Sequence, residues 1–444
     1  MSLKLHLLAV VIAAVPLLAR PVVAQTGLGT VTDVNSMDCS LLYTPSQIYP
    51  NSFRNFDTSM TNCYSATLAG CPNGVSDIGF VYGYAPPIAS VQIAGTIVMF
   101  SGDGGENAAV GPFFPKYVQA YRTAGYQVVE VAWGPTPGSG IAWELANYAS
   151  PSTNPSILNA ACRPATFLNW VRNGNSGVGN GIWNQCQGAT GCTNGGMCVH
   201  ANSGGAGAVA YALTWYNAGA GGAPTNGGGY LDKVVLENGP VFSDIERGCE
   251  IDQSGHNGQS TPICTSGTGQ TGCNNWASPP NYPLEYMFGD QNSVNEWSGA
   301  PSPSCANNST YTGAAQDTLW ANMSVVVGSS GTQQPSFNYP VTAMSAWLCE
   351  STVSPAMWNN SAAQGELYYA KFTAQSQAGN SISVNGVTGC FQSPEDVEEG
   401  TVNIGTPAQP FSGLQAIEND MLGAQPANPA ASCNAMGLAR LAQH

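Results

Sequence analysis

Short apolar runs alternate with helical patterns through the first half of the chain. Residues 95–100 (GTIVMF) and 126–133 (YQVVEVAW) are continuous apolar runs, typical of parallel strands buried on both faces. Residues 113–124 between them carry apolar side chains at helical spacing. Residues 231–238 (LDKVVLEN) repeat the strand pattern after an Ala-rich helical segment. This alternation predicts an α/β domain with a mostly parallel central sheet, flanked by helices and built with right-handed connections.

Weaker patterns predict the remaining elements. We expect strands at 80–84, 323–328 and 381–389, the last of these being the final strand, and helices at 163–172, 362–374 and 416–422. Residues 341–349 (VTAMSAWLC) are apolar, but their pattern leaves helix and strand both open.

Three segments do not follow the α/β pattern. Residues 1–24 have a positive start, an apolar run and small residues at the end, which is the pattern of a secretory signal peptide. Residues 25–75 are polar and predict an N-terminal extension stapled by disulfides to the main domain of residues 76–444. Residues 241–322 are rich in Gly, Ser, Asn and Cys and predict a disulfide-pinned insertion, located where a lid would lie.

Cysteine count and charge narrow the class of protein further. Fourteen cysteines in a chain with a signal peptide favour a disulfide framework, and their spacings do not fit a zinc site. Cys198 lies within a predicted buried strand, so we expect it to be the least free to pair. A net charge of −15 argues against nucleic acid or an anionic membrane as a partner. The sequence therefore predicts a secreted protein, extracellular or periplasmic, without a metal.

The most informative stretch is residues 195–215, GGMCVHANSGGAGAVAYALTW. A short apolar strand is followed by Ser203 among small residues and then by a helical segment. Strand, tight turn and helix around a serine form a nucleophile elbow, in which the turn exposes the serine hydroxyl. The other interpretation is a Gly/Ser-rich loop before a helix. Ala201 stands where the G-x-S-x-G pattern has its first glycine.

A second glycine-rich turn, Ser101 to Gly105 (SGDGG), directly follows an earlier predicted strand. Backbone N–H groups of Gly102, Asp103 and Gly204 are candidates for an oxyanion hole. A phosphate-binding loop is excluded, because no Lys-Ser/Thr follows the glycines and no acidic residue stands at dinucleotide spacing. We therefore expect no cofactor.

The two motifs together resemble the α/β-hydrolase family, and especially its secreted esterases and depolymerase-like members, over about residues 80–400. The resemblance implies an α/β-hydrolase-like sheet, ester hydrolysis through Ser203, and a catalytic histidine after the last strand. In this chain the residues at that place are CFQSPED, without a histidine.

The base and the acid must therefore come from elsewhere. His6 is in the signal peptide, His444 is the terminal residue, and His200 precedes Ser203 by three residues and is interpreted as a packing or supporting residue. His256, in the predicted insertion, is the remaining candidate base. Asp244 and Glu246 stand at an alternative acid position that some family members use, or are solvated loop acids.

Two hypotheses of different classes follow. The first is a secreted serine esterase acting on a small-molecule or polymeric ester through Ser203, His256 and Asp244. The second is a secreted protein of the same fold that binds without catalysis, because the expected histidine is absent. A serine peptidase on the same fold is a third possibility.

Overall fold

The structure is a computed structural model of the whole chain. It describes residues 27–43, 53–54, 56–72, 74–88, 93–102, 105, 108–110, 113–134, 143, 157–175, 181–183, 196–202, 204–219, 231–237, 324–326, 335, 337, 339, 342–350, 382–388, 397–398, 401–404, 409–424 and 433. Three predicted segments lie outside the described residues: the signal peptide at 1–24, the insertion at 241–322 and the helix at 362–374.

Most of the described strands join one large sheet. In chain order the strands are β1 (Thr30–Met37), β2 (Phe53–Arg54), β3 (Asn62–Ala69), β4 (Ile78–Ala85), β5 (Gly95–Phe100), β6 (Ala109–Val110), β7 (Tyr126–Trp133), β8 (Gly196–Asn202), β9 (Lys233–Glu237), β10 (Ala343–Glu350), β11 (Ile382–Thr388), β12 (Thr401–Ile404) and β13 (Gln409–Ser412). Strands β2 and β6 pair separately as a short antiparallel ribbon.

The sheet has a parallel centre and antiparallel margins. Its order is β1-β3-β4-β7-β5-β8-β9-β10-β11-β12-β13. The six neighbouring strands from β7 to β11 in that order are all parallel, and the pairs beyond them are antiparallel. Since the parallel strands run the same way, their carboxyl ends meet at one edge of the sheet, where ligands bind in open α/β sheets.

Helices cover both faces of the sheet. They are α1 (Phe114–Thr123), α2 (Ile157–Ala160), α3 (Cys162–Asn173), α4 (Gly204–Tyr216) and α5 (Gly413–Leu422). Apolar residues of α1 and α5 share one core with alternate residues of the central strands. Residues of α3 and α4 share the other core with the remaining alternate residues. The mostly parallel α/β sheet flanked by helices, as predicted from the sequence, is confirmed.

Two of the predicted strands need correction. Residues 324–326, within the predicted 323–328 strand, form a turn. The strand of that region is β10, in the apolar segment whose pattern left helix and strand open. The predicted final strand is present as β11, but β12 and β13 follow it and extend the sheet in an antiparallel direction. Sheet pairing, rather than local apolar content, decides between these segments.

The N-terminal region is continuous with the sheet over its described residues. Strands β1 and β3 pair with each other, and β3 pairs with β4. The Cys39–Cys63 disulfide lies within this region, and the Cys71–Cys162 disulfide ties it to α3.

The third described disulfide corrects the expectation for Cys198. This residue is fully buried in β8, and it bonds to Cys433. Cys198 points to the face covered by α1 and α5, where Cys433 packs into the same core. A cysteine in a buried central strand can therefore pair with a cysteine that packs on the face of the sheet. No helix among the described residues is long and apolar enough to cross a bilayer.

Candidate active site

Strand β8 and helix α4 are separated by one residue. The strand ends at Asn202 and the helix begins at Gly204, so Ser203 is the whole connection between them. Ser203 itself lies outside the described residues. Its two neighbours are buried, Asn202 at the carboxyl edge of the sheet and Gly204 in the first turn of the helix. A strand and a helix separated by a single serine is the spacing that the nucleophile-elbow interpretation requires.

The first turn of α4 lies directly against the end of β5. A Cβ atom on Gly205 would lie 2.7 Å from the carbonyl oxygens of both Phe100 and Ser101. Both contacts are with backbone, so the residue after Gly204 must be glycine for the helix to approach this closely. The second glycine of the ANSGG sequence is thus explained by packing at the strand end.

Strand pairing brings the second glycine-rich turn beside the first. Strand β8 pairs in parallel with β5, with Phe100 opposite Ala201, so both chains leave the sheet at the same edge. Gly105 N–H donates to the carbonyl oxygen of Gly102 at 3.1 Å, which closes a turn immediately after β5. Asp103, within that turn, lies outside the described residues.

The second turn is anchored to β7. Trp133 N–H donates to the carbonyl oxygen of Gly105 at 2.8 Å. Gly105 has a φ of +72°, a left-handed conformation that favours glycine, and a Cβ there would lie 2.7 Å from the Trp133 ring. The turn that carries the predicted oxyanion donor Gly102 is therefore held against two strands.

The structure gives His200 a set of buried partners that sequence reasoning did not identify. His200 is fully buried on the α1 side of β8. Its Nε2 lies 2.9 Å from Glu237 Oε2, and its Nδ1 lies 3.0 Å from the Tyr121 hydroxyl. Tyr117 donates its hydroxyl to Glu237 Oε1 at 3.1 Å. We call these four residues the His200 network.

Both tyrosines of the network stay protonated. Burial raises the pKa of each hydroxyl well above its usual value, and Glu237 adds to the effect at both. The Tyr117 ring also packs edge-on against the imidazole of His200, with 4.5 Å between ring centres. The expectation of a packing or supporting role for His200 agrees with this placement.

The structure does not describe the acids and the base proposed from the sequence. Asp244, Glu246 and His256 lie outside the described residues. Sequence reasoning missed two glutamates that are the last residues of neighbouring parallel strands, Glu237 of β9 and Glu350 of β10. The side chain of Glu237 belongs to the His200 network. Glu350 is placed by its backbone, three residues beyond Trp347, the register partner of Glu237.

Metal binding has no support among the described residues, which contain no cluster of three or more His, Cys, Asp or Glu side chains able to hold an ion. At the carboxyl edge the described residues bring together the end of β8, the start of α4, a hydrogen-bonded glycine turn beside them, and the last residues of β9 and β10.

These features define an α/β protein with a mostly parallel sheet and a candidate serine site at its carboxyl edge. No protein-family model matches the chain, and no curated protein matches its sequence.

Among solved structures, the chain is similar to a bacterial heroin esterase, with 14% identity, a TM-score of 0.39 and 86% of each chain covered. It is similar to lipase A of Candida antarctica, with 11% identity, a TM-score of 0.39, and coverage of 80% of this chain and 76% of the lipase. A thermophilic carboxylesterase cloned from a metagenomic library shares 12% identity at a TM-score of 0.41, covering 83% of this chain and 90% of its own. Because these values are low, the case for function rests on the chain's own residues.

Proposed function

We propose that the protein is a secreted serine hydrolase that cleaves carboxylic esters, with Ser203 as its nucleophile. The observation that supports this most is the one-residue connection between β8 and α4, with Gly205 packed on the carbonyl oxygens at the end of β5. A loop that merely joins a strand to a helix does not need so close an approach. A nucleophile elbow does, because its backbone turns sharply.

The proposed reaction is acyl transfer in two steps. Ser203 attacks the ester carbonyl carbon as a base removes its hydroxyl proton, and the same proton then goes to the departing alcohol. Water next attacks the acyl-enzyme, which releases the carboxylic acid and restores the serine. The overall change consumes one ester and one water and gives one acid and one alcohol.

Negative charge on the carbonyl oxygen needs donors that are already in place. We assign this role to backbone N–H groups of Gly204, Gly102 and Asp103. Gly204 opens α4, and the first four N–H groups of a helix have no partner within the helix. The pairing of β5 with β8 brings the turn that begins at Gly102 to the same edge.

The base and acid remain assigned to His256 and Asp244, with Glu350 as a second acid candidate. His200 does not fit the role of base, since both its ring nitrogens already have partners. The same observation supports the alternative, a non-catalytic binding protein. Of the four histidines, the structure describes one, His200, and both nitrogens of its ring have partners.

Secretion belongs to the proposal as well. Three disulfides among the described residues join segments far apart in the chain, which favours folding in an oxidising compartment.

Hydrolysis of p-nitrophenyl acetate by the purified chain tests the proposal. Wild-type protein should show turnover, and Ser203→Ala should lose at least about 1,000-fold in kcat. His256→Ala should lose a similar factor if it is the base. Asp244→Asn compared with Glu350→Gln identifies the acid as the variant with the larger loss. Turnover that is the same in wild type and Ser203→Ala would exclude the serine mechanism. A well-folded wild type without turnover would favour the binding protein.

A further inference from the structure

The His200 network joins three elements immediately before the elbow. It connects His200 of β8, Glu237 at the end of β9, and Tyr117 and Tyr121 of α1, all of them fully buried. In the pairing of β8 with β9, Glu237 stands opposite Asn202, the residue before Ser203. His200 is opposite Val235, two residues before Glu237 on the same face of the sheet. The Glu237 side chain therefore extends diagonally across the strand pair to contact His200.

The polar side-chain atoms of the network are all paired with one another. His200 Nδ1 faces the Tyr121 hydroxyl and Nε2 faces Glu237 Oε2. We assign the tautomer that satisfies every group: Tyr121 donates to Nδ1, and the imidazole donates the proton on Nε2 to Glu237. Tyr117 donates to Glu237 Oε1, so each carboxyl oxygen of Glu237 has one hydrogen-bond partner.

Because both its ring nitrogens are paired, His200 is not available to accept the proton of Ser203. To take the proton of Ser203, the imidazole would have to release Tyr121 or Glu237 and leave a buried polar group without a partner. A buried polar group left without a partner destabilises the fold, and a charged one does so more strongly. The network is therefore built to stay fixed.

The end of β8 needs such a fixed support. Asn202 is buried, and its Oδ1 accepts no hydrogen bond in the part of the chain that the structure describes. A buried amide oxygen that accepts no hydrogen bond destabilises the strand end locally, so this end depends on its other contacts to stay in place. The support comes from one side chain away, through His200.

We propose that His200, Glu237 and Tyr121 are positioning residues for Ser203. Their hydrogen bonds hold the end of β8 to β9 and α1. We call this arrangement the clamp, and its role is to keep the distance between Ser203 and the oxyanion donors fixed. This inference rests on the proposed esterase function and deepens it. A displacement of about 1 Å at a reacting group can cost 100-fold in rate, so the clamp should act on kcat rather than on substrate binding.

Tyr121→Phe tests the clamp with the smallest change, since it removes one hydrogen bond and keeps the ring. The matched control is Tyr216→Phe in α4, on the opposite face of the sheet. The Tyr216 hydroxyl is also buried and donates to the carbonyl oxygens of Leu158 and Asn159, at 3.0 and 3.2 Å. Each variant loses one buried hydroxyl, so both should lower the melting temperature by a similar amount.

The two variants should differ in p-nitrophenyl acetate kinetics. We expect Tyr121→Phe to lower kcat about tenfold with KM within about twofold, and Tyr216→Phe to leave both constants within about twofold of wild type. Glu237→Gln, in which one amide oxygen replaces two carboxylate oxygens as acceptors, should lower kcat further. Tyr117→Phe serves as the second variant if Tyr121→Phe does not fold.

The outcomes distinguish the two proposals. A wild type that turns over the ester, together with Tyr121→Phe and Glu237→Gln that keep its kcat but melt at a lower temperature, overturns the clamp and leaves the esterase intact. A folded wild type that neither turns over the ester nor reacts with a fluorophosphonate overturns the esterase, and the clamp with it.

Discussion

At the scale of single residues, the candidate site depends on atoms that are absent as much as on atoms that are present. Gly205 lacks a Cβ where one would meet two carbonyl oxygens, and Gly105 lacks one where it would meet Trp133. Between these glycines the ends of β5 and β8 come together. The serine site is therefore specified by close backbone packing as well as by the serine itself.

Gly205→Ala separates this packing account from helix propensity alone. In an ordinary helix position the change stabilises by about 0.5–1 kcal/mol. Here the added methyl would overlap Phe100 and Ser101 backbone, so we expect destabilisation by about 1–3 kcal/mol and loss of ester turnover. Urea denaturation of the two proteins measures the sign directly. A more stable variant would contradict the close approach of α4 to β5.

How far sequence reasoning reaches is clear from His200. Its burial followed from its place in an apolar strand, and a packing or supporting role was predicted. Its partners could not be, because Tyr121 and Glu237 are 79 and 37 residues away and meet it only through sheet pairing. Ser203 could be proposed from the sequence because a strand–turn–helix motif is local in the chain.

At the scale of elements, continuous apolar strands were predicted best. Strands β5 and β7 have the bounds that their apolar runs predicted. The 323–328 strand was wrong because a short apolar run also suits a buried turn, and here Val325 and Val326 are buried in one. Strand β10 was ambiguous for the same reason, and with it the edge position of Glu350 was missed.

Helix α5 is held to the sheet by a buried ion pair. Lys233 Nζ lies 2.6 Å from Asp420 Oδ1, and the Trp347 indole donates to Asp420 Oδ2 at 3.0 Å. Burial lowers the pKa of Lys233 and the charge of Asp420 opposes that shift. Asp420 therefore compensates a charge that β9 would otherwise bury alone.

We expect Asp420→Asn to destabilise the protein by about 3 kcal/mol, because it leaves Lys233 without a counter-charge. The matched control is Glu418→Gln on the same helix. That side chain is half-buried, and we expect its loss to cost less than about 1 kcal/mol. Equal midpoints for the two variants in chemical denaturation would show that the pair does not hold α5.

At the scale of the whole molecule, the protein is built with few charges, and these are mostly acidic. Charged residues are 8% of the chain, and the net charge is −15 at pH 7. Self-repulsion of this kind falls as carboxylates are protonated in mild acid. A buried acid adds to the same trend: burial raises the pKa of Glu130 well above its usual value, although the hydrogen bond that it accepts from Asp57 N–H opposes the shift.

The sign of this contribution follows from linkage. Folded Glu130 binds its proton more tightly than the unfolded chain, so it stabilises the fold at low pH and loses that contribution as the pH rises above about 4.3. Each unit by which its pKa is raised corresponds to about 1.4 kcal/mol. Glu130→Gln should therefore be more stable than wild type at pH 7, with a smaller difference at pH 4.5.

The opposite sign is expected at Asp38. A hydrogen bond from Ser40 N–H lowers the pKa of its carboxyl, so its contribution is present near neutrality and is lost as the pH falls. Thermal unfolding of Glu130→Gln and Asp38→Asn at both pH values measures the two slopes. The account of Glu130 fails if its variant is less stable than wild type at pH 7.

The central claim is that Ser203 is an activated nucleophile, and covalent labelling tests it most directly. The full chain is treated with a fluorophosphonate and the adduct is located by mass spectrometry of its peptides. We expect one adduct, on Ser203, that forms before denaturation and is absent from Ser203→Ala. An unlabelled wild type, or the same labelling in wild type and Ser203→Ala, would contradict the claim.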